Sequence, residues 1–478
     1  MREIFNFFNC NLDIDEILLY VEKDYRTSQL NELLDRTNLK KVTLTGRITK
    51  ECADELVKPF SNIVEYVDFE TLKEKHVKFN TVVFEDVVDG TELYDLLEFN
   101  PVNFVGSMFA KTISSFSVWE KYRKISEHIL IVTHPDKNMQ QVLDWTKTDN
   151  PIELSVIFPV YNVAKYLNQC IESVTAWKAD YVEFLFVNDG SPDNSRDIIL
   201  EASKKDSRIK LLDKPNGGCA SARQYGLERA QGTYIGFIDP DDYIDESMFR
   251  KLLRAAMVGS FEISYCGYNN YYEKNGKSER VIDTLWWPYN TGVYFPKEIF
   301  PLIVFQRIAI WRGIYKRELI DRAKIHFYTD LRRFDDLPFK VEVYANAKSV
   351  ISTEEYLYYY RLERPGQDVS VDDQRLYVHF DIFNYLNKSI ASLNNQRLTD
   401  CLQLVKIQSH RWAISKLKKE YLKEYMAKAK EDFKTTGTFF RTFLMAKKEI
   451  GKRAALYYVG VMTNNMLLID YLNKHEDK

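Results

Sequence analysis

An apolar run, Tyr234-Ile235-Gly236-Phe237-Ile238, ends abruptly in Asp239-Pro240-Asp241-Asp242. A strand ending this way carries its carboxylates to the rim of a sheet. There they form a cluster of hard oxygen ligands suited to Mg²⁺ or Mn²⁺ and, through the metal, to a diphosphate. Taken alone, the cluster reads equally well as a polar turn after a strand. The segments before it narrow the choice. Leu154 to Phe158, Val182 to Val187 and Ile209 to Leu212 are β-rich runs separated by helical stretches over 163–176, 193–204 and 219–230. Strands alternating with helices make a parallel sheet with helical crossovers. Ligands of such sheets bind beyond the carboxyl ends of the strands, and each polar motif in this region falls at one of those ends.

The motifs are Pro159-Val160-Tyr161-Asn162, then Val187-Asn188-Asp189-Gly190-Ser191-Pro192-Asp193, then Asn216-Gly217-Gly218 with Ala222-Arg223, then the Asp239 cluster. In this order they resemble the inverting family 2 glycosyltransferases of the GT-A fold, whose pattern runs P-x-Y-N, V-D-D-G-S-x-D, N-x-G-x-x-x-A-R-N and D-x-D-D. The resemblance covers about 151–372 and implies a nucleotide-sugar donor. It assigns donor contacts to Pro159, Tyr161, Asp189, Asn216, Gly218, Arg223 and Asp239, and the metal, Mn²⁺ or Mg²⁺, to Asp241. Asp189 is suited to accept a hydrogen bond from a pyrimidine N3–H, which favours a UDP-sugar. Asn188 stands where the family commonly has Asp, and Gln224 where it has Asn, so uridine is favoured rather than fixed.

Further along, Ile310-Trp311-Arg312-Gly313-Ile314-Tyr315-Lys316-Arg317 precedes Arg333-Phe334-Asp335-Asp336-Leu337-Pro338-Phe339. The pair resembles the W-x-x-x-Y-K-R … E-D-L-x-F stretch of bacterial members that build surface polysaccharides. It implies that Asp336 is the general base and that Asp335, in place of a Glu, contacts the acceptor. A base is required because the acceptor hydroxyl loses its proton as it attacks the anomeric carbon. The same pair also reads as a helix N-terminal cap. Tyr358-Tyr359-Tyr360-Arg361 resembles a Y-x-Y-R element. This implies that Arg361 or Arg364 closes over the diphosphate, although Gly366 and Asp368 stand where serines are usual. Trp286 and Trp287 fall in the variable acceptor region, with indole faces suited to sugar C–H surfaces. His379 is read as structural.

The 478 residues suffice for two or three domains. Residues 1–150 alternate short strands and helices and read as a small α/β domain of unknown role. Residues 151–395 read as the GT-A domain, with a donor half at 151–275 and an acceptor and base half at 276–395. Residues 396–478 read as a helical, basic C-terminal region. Between Cys401 and Arg453 basic residues outnumber acidic ones 14 to 5, interleaved with Phe439, Phe440, Phe443 and Leu444. This reads as a packed bundle, a subunit contact of a homo-oligomer or a peripheral contact with anionic lipid.

A net charge of −3 gives no case for nucleic acid. Scattered cysteines, the lack of an apolar leader and the lack of a run of about 20 apolar residues read as a cytoplasmic protein. The expectation is a metal-dependent inverting hexosyltransferase. It would move a sugar from a nucleotide sugar to a hydroxyl of a cell-surface glycan, lipid-linked or protein-linked. A non-catalytic glycan-binding scaffold with the same fold is the alternative, and a sugar nucleotidyltransferase is a weaker one.

Overall fold

The computed structural model describes residues 152–258, 261–282, 293–294, 302–363 and 371–475, together with segments of residues 14–146. The chain forms two compact units, one of residues 1–151 with 254–261 and one of 152–253 with 262–478.

The first unit is built on β1 (Glu16–Val21), α1 (Thr27–Arg36), β2 (Lys41–Gly46), α2 (Lys50–Val57), β3 (Val64–Tyr66) and α3 (Phe69–Glu74). These are followed by β4 (Thr81–Val87), β5 (Asn103–Met108), β6 (His128–Asp136) and β7 (Met139–Thr146). Its sheet runs β3-β2-β1-β4-β5-β6-β7, parallel except for the antiparallel β6–β7 pair. The interior strand β1 is buried on both faces from Ile17 to Val21, as an apolar strand between parallel neighbours should be. The β-rich runs over 41–45, 62–67, 81–84, 102–105 and 128–132 of the sequence become β2 to β6, whereas the sequence pattern does not single out β1 or β7.

The second unit begins with β8 (Leu154–Val160), α4 (Ala164–Thr175), β9 (Val182–Asn188), α5 (Ser195–Lys205), β10 (Ile209–Asp213), α6 (Cys219–Leu227) and β11 (Tyr234–Phe237). It continues with β12 (Tyr243–Ile244), α7 (Met248–Val258, whose residues from 254 on belong to the first unit), β13 (Ile263–Tyr272), β14 (Lys277–Arg280), β15 (Val293–Tyr294), β16 (Gly313–Lys316), α8 (Arg317–Arg322), α9 (Asp336–Asn346) and β17 (Val350–Leu362). The sheet order is β10-β9-β8-β11-β16-β13-β17-β12. The first four strands are parallel, and β16 then enters antiparallel to both β11 and β13. The order reverses between β8 and β11, so the crevice beyond their carboxyl ends is where a ligand is expected. Close packing keeps α6 on this sheet: a Cβ on Gly226 would lie 2.5 Å from Ile157 and 3.2 Å from Val187.

Six helices complete the unit: α10 (Val378–Ser392), α11 (Gln396–Lys416), α12 (Lys419–Lys434), α13 (Phe439–Glu449), α14 (Lys452–Met462) and α15 (Met466–Lys474). Their apolar faces join one continuous core with the sheet, from Ile157 and Phe237 through Phe339 and Ile407 to Leu472. Part of the basic excess is internal. Lys406 is fully buried and pairs with Asp432 at 2.8 Å, and His410 meets the other oxygen of that carboxylate at 3.0 Å. Phe440 (69% exposed) and Leu444 (47%) lie outward on α13, whereas Phe443 packs against the core. Among the described residues no helix is long and apolar enough to cross a membrane.

Candidate active site

A cleft of about 1100 Å³ opens beyond the carboxyl ends of β8, β9 and β11. It is lined by Pro159, Tyr161, Asp189, Asn216, Gly218, Arg223, Asp239, Asp241, Asp335 and Asp336. Sequence motifs separated by up to 177 positions thus converge on one space.

On the donor side, Asp189 organises the glycine loop. Its carboxylate accepts from the Gly217 amide at 2.9 Å and the Gly218 amide at 2.7 Å, and it pairs with Lys214. Asn216 donates to the Asp189 carbonyl at 2.9 Å. Gly190 and Gly218 sit at φ +67° and +89°, a backbone region that an L-side chain resists. Asn188 explains its own departure from the family pattern: its amide donates to Asp213 at 2.8 Å, where a second carboxylate would repel the first. Asp193 accepts from the Ala164 amide at 2.9 Å, tying the β9 motif to the start of α4.

At the centre, Arg223 is buried and bridges two carboxylates, Asp239 at 2.5 Å and Asp335 at 2.7 Å. These pairs hold its guanidinium firmly charged. Asp336 opens α9, but Asp335, at the capping position, turns to Arg223 instead of capping the helix. Burial pushes the Asp336 carboxyl up to about 7. Neighbouring Asp335 adds to the rise, Arg223 opposes it, and Asp239 adds a smaller contribution. A carboxylate poised near neutrality is suited to take a proton during attack.

Asp239 and Asp241 fit a divalent cation in chemistry and place, since both are hard-oxygen donors on the cleft wall and Asp241 is only 4% exposed. Among the described residues no three acidic, His or Cys side chains converge as a cage. A divalent cation held here would draw its protein ligands from these two carboxylates.

Arg361 differs from expectation. Its guanidinium is buried, pairs with Glu273, and donates to the Asp241 carbonyl at 2.7 Å and to Gln169 at 2.6 Å. Tyr166, Tyr271 and Tyr243 surround it. Its amide donates to Asp242 at 2.7 Å, and Tyr358 donates to the other Asp242 oxygen at the same distance. Arg361 therefore positions the carboxylate turn instead of closing over a diphosphate. Its donors are taken up inside the protein, and it does not line the cleft.

Arg364, Trp286 and Trp287 lie outside the described residues. His379 lines the cleft but stays neutral, its pKa pushed down to about 3 by burial and by His410. Sequence reasoning missed Lys214, whose pairing with Asp189 only folding reveals. It also missed Arg332, whose Cδ approaches within 3.9 Å of the place a Gly218 Cβ would occupy. The third omission is Val405, Gln408, Ser409 and Trp412 of α11, which extend the cleft wall. Their i, i+3, i+4, i+7 spacing marks one helical face, a signal that core packing gives equally.

Residues 155–317 match the family model described as glycosyl transferase family 2. The chain is 34% identical over 220 residues to the uncharacterized glycosyltransferase EpsJ of Bacillus subtilis (strain 168), covering 45% of this chain and 62% of that protein. It is 30% identical over 234 residues to the poly(ribitol-phosphate) beta-glucosyltransferase of Bacillus spizizenii, covering 46% of this chain and 34% of that protein. The chain thus spans less than two thirds of these relatives' own length. In fold it is similar to the crystal structure of S. aureus TarS 1-349 in complex with UDP-GlcNAc, with a TM-score of 0.56 and 17% identity over 68% of this chain and 91% of that one. With the strand-end motifs gathered in one cleft of a GT-A fold, residues 155–317 form a glycosyl transferase family 2 domain.

Proposed function

We propose that this protein is a metal-dependent inverting glycosyltransferase that moves a sugar from a nucleotide sugar, with UDP the favoured carrier, to a hydroxyl of a cell-surface glycan. The observation that carries the reading is the meeting of donor-side carboxylates and a near-neutral Asp336 in one cleft. The acceptor hydroxyl gives its proton to Asp336 as its oxygen forms a bond to the anomeric carbon. The bond from that carbon to the diphosphate oxygen breaks, and its electron pair leaves with the nucleoside diphosphate. Attack opposite the leaving group inverts the configuration in one displacement.

Asp241, with Asp239 beside it, would hold Mg²⁺ or Mn²⁺, which when bound offsets charge on the departing diphosphate. The Asn216-Gly217-Gly218 loop, fixed by Asp189, and the nearby Arg332 frame the donor. Arg332 takes the phosphate-facing role that Arg361 cannot fill. Asp335 acts mainly through Arg223 and through its field on Asp336. The outward face of α13, with Phe440 and Leu444 among basic residues, is suited to rest on anionic lipid.

The test is release of nucleoside diphosphate from UDP-, GDP- and dTDP-sugars, and of CMP from CMP-sugars, with Mn²⁺ or EDTA. Release from one donor, abolished by EDTA and by Asp241→Asn, is expected. Silence with every donor, together with no Mn²⁺-dependent UDP binding, would leave a glycan-binding scaffold.

A further inference from the structure

The cleft does not stop at Asp336; it continues onto α11, where Gln408, Ser409 and Trp412 line it. Each of the three is part-exposed, while Cys401 to Ile407 and His410 on the same helix are buried. The helix lies outside the segment 155–317 that matches the family. Trp412 is anchored to the base-bearing loop through Phe334, two residues before Asp336. The Phe334 ring meets the indole edge-on at 5.7 Å and stacks on His379 at 5.2 Å. Phe334 stands at φ +56°, a conformation a bulky residue adopts only when its packing compels it. The α10 and α11 side chains therefore hold the turn that presents Asp336. In the same space they expose an indole, a carboxamide and a hydroxyl.

That combination matches a pyranose ring, which has an apolar C–H face and a rim of hydroxyls that both donate and accept. We propose that this face of α11 is the acceptor subsite. Trp412 carries the C–H face of an acceptor sugar, and Gln408 and Ser409 bond its hydroxyls. The neighbouring hydroxyl is thereby delivered to Asp336. The proposal rests on the transferase reading above and adds the location and chemistry of the acceptor.

The probes are p-nitrophenyl α- and β-hexosides, added to wild type, Trp412→Ala, Trp412→Phe and Gln408→Ala with the donor that the wild type cleaves. The readout is the ratio of glycoside-stimulated to glycoside-independent release of nucleoside diphosphate. A seated sugar predicts stimulation in the wild type, a ratio about tenfold lower in Trp412→Ala, and retention of most of it in Trp412→Phe. Gln408→Ala, a part-exposed change, should raise the glycoside KM even if Trp412→Ala folds poorly. Three results would overturn the subsite: a wild type that cleaves donor but ignores every glycoside, a Trp412→Ala ratio equal to that of wild type, or equal loss of both rates with the ratio preserved. A wild type that cleaves no donor would instead overturn the transferase reading itself.

Discussion

Asp336 and Arg361 show how burial decides what a charged residue does. Burial and Asp335 raise the Asp336 carboxyl from its ordinary 3.8 to about 7, so between those values the folded chain holds a proton that the unfolded chain releases. This contribution to stability is complete below about pH 4 and is lost as pH rises through 7. Asp336→Asn should therefore melt above wild type at pH 8 and near it at pH 4, which thermal scans at the two pH values would check. Arg361 is buried with its charge paired to Glu273. Arg361→Met should cost about 3–5 kcal/mol in urea unfolding, because it leaves buried acceptors without their partner. Arg332 is exposed, and Arg332→Met should leave urea stability within about 0.5 kcal/mol. It should weaken UDP-sugar affinity by about tenfold, as loss of a charge-assisted phosphate contact does.

At the level of elements, turns and helix faces carry the site. A Cβ on Gly190 would lie 3.1 Å from the Asn216 amide, in a backbone held at φ +67°. Gly190→Ala should cost about 1–2 kcal/mol and raise the donor KM by shifting Asn216, which calorimetry and donor titration would show together. The strands β8, β9 and β11 and their terminal motifs were legible because each pairs a short apolar run with polar residues at a fixed end. The surroundings of Asp189 and Arg361 were not. Whether an Asp or Arg faces a ligand or its own backbone depends on contacts made by residues 25 to 192 positions away. The strand β1 escaped because a short apolar run, Glu16 to Val21, has no period that separates strand from helix. The acceptor wall on α11 was hidden for a related reason, since its stripe has the spacing of ordinary core.

In the molecule as a whole, the C-terminal helices belong to the same hydrophobic core as the GT-A sheet. Deleting residues 396–478 should therefore abolish cooperative unfolding, read by circular dichroism, instead of leaving a donor-binding domain intact. The outward α13 face carries a separate expectation: the chain should pellet with vesicles rich in anionic lipid. Phe440→Asp with Leu444→Asp should reduce that binding several-fold without changing the melting temperature by more than a few degrees. Failure of the wild type to bind vesicles would contradict a lipid-facing role.

In the proposed mechanism Asp336 removes the acceptor proton in an inverting transfer. Its most direct test is the pH dependence of sugar transfer by wild type and Asp336→Asn, with one donor and Mn²⁺, and with UDP binding measured beside it. The wild-type rate is expected to rise with pH through about 7. The variant should lose about 10²–10⁴-fold in rate, with UDP affinity retained. A variant that transfers sugar at the wild-type rate would contradict this mechanism, and so would a wild-type profile flat across that range.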